Sequence, residues 1–164
     1  MKLSLLNPAS FWIGLLFFTI SSAQSQSLPA EGSNAIFITT SLTDTEAYLA
    51  IGKVLTEQSI LFSVASDGLL ISSQGNSIAN NKGVIFTGQL SLQKGVVKLT
   101  GSLRELPQAD GSKSTKGNLM HAHYQGGTTS LAKAGFSYMD ELAKKLKPAL
   151  RGVIHYKLQK EPMS

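Results

Sequence analysis

The stretch between residues 84 and 104 constrains the fold of this chain more than any other. Two runs, 84–93 and 96–104, alternate apolar and polar residues and are separated only by Lys94-Gly95. A two-residue hairpin turn fixes strand register, because a slip of one residue would move every side chain to the opposite face. Residues whose numbers sum to 189 therefore face each other: Leu92 with Val97, Leu90 with Leu99, Gly88 with Gly101, and Phe86 with Leu103. All of these fall on one face, while Gln89, Ser91, Lys98, Thr100, Ser102 and Arg104 fall on the other. One face is packed and the other wet, as in an antiparallel sheet covered on a single side. The opposed Gly88 and Gly101 leave a notch in the packed face, which predicts the close approach of a crossing helix or of a small apolar ligand.

Two amphipathic segments can supply the cover. Thr43-Asp44-Thr45-Glu46 has the spacing of a capping box, and beyond it Ala47, Tyr48, Ile51, Val54 and Leu55 share one helical face. A second helix over 131–147 presents Leu131, Gly135, Tyr138, Met139, Leu142 and Leu146, and Pro148 is expected to end it. Further strands are predicted at 35–40, at 60–64, where Ile60, Phe62 and Val64 alternate, at 69–73 after an Asp67-Gly68 turn, and at 152–159. Residues 106–129 are irregular, with only 118–125 suited to a short strand, and a connection of that length is either functional or disordered. The order β-α-β-β-β-β-loop-α-β predicts an α+β domain: a mostly antiparallel sheet with two helices packed on one face.

The N-terminus carries an address. Lys2, the apolar run 11–20 and the small residues Ser21-Ser22-Ala23 match an export signal, predicting cleavage after Ala23. The apolar run is shorter than the ~20 residues of a membrane-spanning helix. The expectation is a periplasmic or secreted protein that is not integral to the membrane, with a flexible leader over 24–33, one domain over 34–160 and a tail over 161–164. The chain has no cysteine, which excludes disulfides, thiolate nucleophiles, cysteine metal sites and a lipidated cysteine.

The residues 36–40, the Thr43-Asp44-Thr45-Glu46 helix start and the Asp67-Gly68 and Lys94-Gly95 hairpins together resemble the secreted Bacteroidetes-type domains of unknown function that adopt a TBP-like sandwich. The resemblance covers residues 34–150. It implies a fold and a compartment, and it transfers no site residues.

Three features could carry chemistry. His121-Ala122-His123 would project both rings from one face of a strand, and such a pair can share a zinc ion if His155 supplies a third ligand. That is the basis of an alternative reading as a metal-dependent hydrolase; exposed histidines without metal are the plainer one. The glycine-rich Gly126-Gly127 before the second helix offers free amides to an anion but lacks phosphate-loop spacing, and Ser130, in a Ser-x-x-Lys pattern with Lys133, reads as an N-cap.

Charge is the third feature. Residues 24–93 carry two basic and five acidic side chains, whereas residues 94–164 carry twelve basic and five acidic. Lys98, Arg104, Lys113, Lys116, Lys144 and Lys147 form the basic half's candidate binding set, with Gly88 and Gly101 as a candidate apolar notch. Such a field attracts anionic lipid headgroups or acidic polysaccharide, or an envelope protein. Nucleic acid is not expected, given export and the scarcity of aromatic residues in the basic half. The function expected is therefore a non-enzymatic binding or scaffolding module without a cofactor.

Overall fold

The computed structural model describes residues 28–66, 68–73, 84–105, 119–127 and 130–160. The export signal, Asp67, Lys113, Lys116 and the C-terminal tail lie outside the described residues. In chain order the elements are β1 (Ala35–Thr39), α1 (Asp44–Glu57), β2 (Leu61–Ala65), β3 (Gly68–Ser73), β4 (Val84–Gln93), β5 (Val96–Glu105), β6 (Leu119–His121), α2 (Leu131–Leu150) and β7 (Val153–Lys157). The strands form one antiparallel sheet in the order β2-β3-β4-β5-β1-β7, and both helices pack against it, giving the α+β class that the sequence predicts. The short β6 pairs with β5 along the edge that β1 also occupies, β1 lying against residues 96–99 and β6 against 102–104.

The β4–β5 hairpin has the predicted register throughout, from Val84 opposite Glu105 to Gln93 opposite Val96. Lys94 and Gly95 sit at φ of 50° and 72°, the paired left-handed conformation of a turn that follows strand twist. The carboxylate of Asp44 accepts from both turn amides, Lys94 N at 3.0 Å and Gly95 N at 2.8 Å, and so pins the hairpin tip to the first turn of α1. The capping box forms as read: Thr43 Oγ1 accepts from Glu46 N while the Glu46 carboxylate accepts from Thr43 N at 2.9 Å.

The core lies between the sheet and the helices. Leu90, Val97, Leu99 and Leu103 of the hairpin meet Ile51 and Leu55 of α1 and Met139, Leu142 and Leu146 of α2 within one buried cluster. The notch at Gly88 and Gly101 is filled from within the chain. A Cβ on Gly101 would overlap the Phe86 ring and lie 3.0 Å from Met139 Sδ, and one on Gly88 would lie 2.7 Å from Ile71 Cγ1. The ring of Phe86 thus lies across both glycines beneath α2, with the Tyr138 ring tilted against it at 4.8 Å between centroids, and no space is left there for a ligand.

Four features differ from the sequence reading. Helix α2 runs through Pro148 to Leu150, because a proline in the last turn removes one amide bond while the buried Leu150 and the left-handed Arg151 cap, whose amide reaches Lys147 and Pro148 carbonyls, hold the turn. Its buried stripe includes Ala132, Phe136 and Ala143, with Leu131 and Tyr138 at the margin. β2 is an edge strand exposed on both faces, so the alternation of Ile60, Phe62 and Val64 does not mark a packed side. The described part of the leader is fastened to the domain: Ser33 is buried, Gly32 N donates to Tyr124 O, Tyr124 N donates to Ser33 O, and Glu31 accepts from Gly126 N.

Candidate functional site

Among the described residues the helices cover one side of the sheet and nothing covers the other, and the topology decides what gathers on that open face. β1 lies between β5 and β7, so its outward-facing Phe37 has Lys98 of β5 on one side and His155 of β7 on the other. Lys157, one outward step along β7, places its ammonium 5.0 Å from the centroid of the Phe37 ring, a cation–π distance. Thr39 Oγ1 lies 3.4 Å from His155 Nε2 on the same face. Ser91 of β4 stands opposite Lys98 and extends this row, and the neighbouring row carries Gln89 and Thr100. Among the described strand residues of this face there is no aspartate or glutamate, whereas Lys98, Arg104, Lys157 and His155 all lie on it. The open face is a basic, hydroxyl- and amide-rich surface with one aromatic ring near its middle.

A small cleft adjoins it where β1 and β6 diverge along β5. It has a volume of about 120 Å³ and is lined by Asn34, Thr100, Gly101, His121, Gln159 and Lys160, among others. Asn34 spans its rim, donating from Nδ2 to Gln159 O at 2.9 Å and accepting from Gln159 N at 2.7 Å.

The structure divides the basic set that the sequence grouped. Lys98 and Arg104 stand on the open face. Lys144 and Lys147 stand on α2, across the sheet from them, and Lys144 is paired with Asp140 at 2.7 Å. Those two lysines therefore cannot act with Lys98 on one flat ligand. Lys113 and Lys116 lie outside the described residues.

The three histidines do not converge. His123 is committed through both ring nitrogens: Nδ1 lies 3.1 Å from His121 O and Nε2 lies 2.7 Å from Gln125 Nε2. Ser130 Oγ donates to Gln125 Oε1 at 2.7 Å, which turns the amide NH2 towards His123 and places the imidazole proton on Nδ1. Ser130 Oγ in turn accepts from Lys133 N, so its hydroxyl caps α2. His121 faces the open side opposite Ser102, and His155 lies on β7 beyond β1. Among the described residues no group of three or more His, Asp or Glu side chains could hold a metal ion.

Phe37, Lys157 and the cleft at Asn34 are the site residues that sequence reasoning missed. Phe37 belongs to the acid-rich half of the sequence, and only the β5-β1-β7 strand order brings it among the basic residues. No protein-family model and no curated protein matches the chain. Among the described residues no helix is long and apolar enough to cross a membrane.

Proposed function

We propose that this domain is a non-enzymatic binding module for an anionic component of the cell envelope, and that acidic polysaccharide is the ligand class its open face suits best. The observation that carries this reading is the Phe37 ring set between Lys98, His155 and Lys157 on a sheet face whose described strand residues include no carboxylate. A flat extended polymer can lie along such a face. Its carboxylates or sulfates would meet the ammonium groups, its hydroxyls would meet Gln89, Ser91 and Thr100, and a sugar ring could stack on Phe37 once Lys157 swings from the ring to the anion. The N-terminal apolar segment and the resemblance to secreted domains support an exported location, where such polymers are found.

The test is affinity electrophoresis and calorimetry against a polyuronate, a neutral glucan and anionic lipid vesicles. Binding to the polyuronate should weaken as salt rises, since exposed charges are screened over ~8 Å at physiological ionic strength. Phe37→Ala and Lys98→Ser should each weaken it at least about tenfold, equivalent to about 1.4 kcal/mol, whereas Lys144→Ser on the opposite layer should leave it unchanged. Equal binding by Phe37→Ala and the parent would refute the site. Retention on vesicles alone would make a lipid headgroup the ligand.

A further inference from the structure

The two edges of the sheet are built differently. The edge strand β7 carries His155 and Lys157, and charged side chains on an edge strand are one means of keeping it from pairing with another chain. β2, at the opposite edge, has no such protection: residues 58–66 read Gln-Ser-Ile-Leu-Phe-Ser-Val-Ala-Ser, without a charge or a proline. Among the described residues no strand pairs with its outer side. Its apolar side chains are open to solvent, Leu61 at 56%, Phe62 at 39% and Val64 at 72%. Phe62 and Val64 stand opposite the buried Ile71 and Leu69, hence on the helix side of the sheet but beyond the cover that α1 provides. Leu49 of α1, also exposed, lines a cleft that reaches Ser66, just past β2, and Gly68, at the start of β3.

We infer that β2 is a dimerisation strand, pairing antiparallel with β2 of a second copy about a two-fold axis through Ser63. The sequence of the strand is complementary to itself in that register. Phe62 falls opposite Val64 of the second copy, and Val64 opposite its Phe62, which gives two aromatic–β-branched cross-strand pairs, among the favourable kinds. On the open side Leu61 falls opposite Ala65, large against small, and Ser63 meets Ser63. A shift by one residue in either direction would break these pairs. The charge pattern permits the same contact: the strand carries no charged side chain, so pairing two copies of it sets no like charges against each other. The pairing extends one sheet through both copies and satisfies the outer amides and carbonyls of β2. This inference does not depend on the ligand proposed above.

The absence of native cysteine makes the test direct. Directly opposed residues of an antiparallel pair have Cα atoms about 4.5 or 5.5 Å apart, within the range a disulfide spans. In full-length protein at about 10 µM, Ser63→Cys should form a disulfide-linked dimer on the order of 100-fold faster than Ser137→Cys, an exposed control on α2, because pairing holds the two thiols at millimolar effective concentration. Sedimentation should give a dimer that Val64→Lys converts to monomer with an unchanged circular dichroism spectrum. Adding Val64→Lys to Ser63→Cys should abolish the rapid cross-link. Equal oxidation rates at residues 63 and 137, a monomer throughout the accessible concentration range, or a dimer that survives Val64→Lys would each overturn the inference.

Discussion

Gly101 is the position where one methyl group should cost most. Its backbone is outside the left-handed region, so alanine is conformationally permitted and any penalty must be steric. The added Cβ would overlap the Phe86 ring, which is wholly buried with the tilted Tyr138 ring 4.8 Å from it, and would lie 3.0 Å from Met139 Sδ; Tyr138 and Met139 both belong to α2. The ring therefore cannot swing aside without displacing α2. Overpacking of this kind costs ~1–3 kcal/mol. Alanine also restricts the unfolded chain, which returns ~0.4–1 kcal/mol. The net expectation for Gly101→Ala is a loss of ~1–2 kcal/mol, a fall in melting temperature of roughly 3–10 °C for a domain of this size. Urea unfolding followed by circular dichroism measures it. Phe86→Leu removes the overlapping ring atoms, so the double variant should lose less than the sum of the two single losses by ~1 kcal/mol or more. An unfolding midpoint for Gly101→Ala at or above that of the parent, or strictly additive losses, would show that the glycine is not there to make room for the ring.

Two other perturbations test the fastenings of the helices. Thr43→Ala should cost about 1 kcal/mol at pH 7 through loss of the cap. The backbone and hydroxyl donors of Thr43 hold the Glu46 carboxyl below the usual carboxylate range, so its contribution is present above that range and is lost as pH falls through the lowered value. The gap between Thr43→Ala and the parent should therefore narrow between pH 7 and pH 3 in parallel melts. Tyr156→Phe removes a 2.6 Å hydrogen bond from β7 to Asp140 on α2, and at a half-buried charged acceptor this should cost ~1–2 kcal/mol by urea titration.

Local signals in the sequence carried far, and long-range ones did not. The Lys94-Gly95 turn determines ten pairs of residues because a two-residue connection leaves one register, and the Thr43–Glu46 spacing names its own helix start. The stripe on α2 is wider than its pattern suggests: Gly135, Met139, Leu142 and Leu146 are buried as read, Ala132, Phe136 and Ala143 are buried beside them, and Leu131 and Tyr138 occupy its margin. The exposure of β2 could not be read from its alternation, since an edge strand and a packed one can have the same pattern. Phe37 was missed for a related reason. Its neighbours Lys98 and His155 come from strands distant in the chain, and no turn connects them. The Asp44 carboxylate under the hairpin tip is likewise a contact between elements that are far apart in sequence.

The Asn34 bracket bears on how the domain would respond to a pull. β1 enters and β7 leaves at the same end of the sheet, side by side and antiparallel, with Asn34 tied to the main chain of Gln159. Tension applied between these two points loads the ladder one rung at a time, beginning with the Asn34 pair, instead of shearing all the rungs together. Held by both ends, the sheet would open like a zip from that corner at low force. Held by one end and by a ligand on the open face, it would have to slide whole strands past each other and would resist far longer.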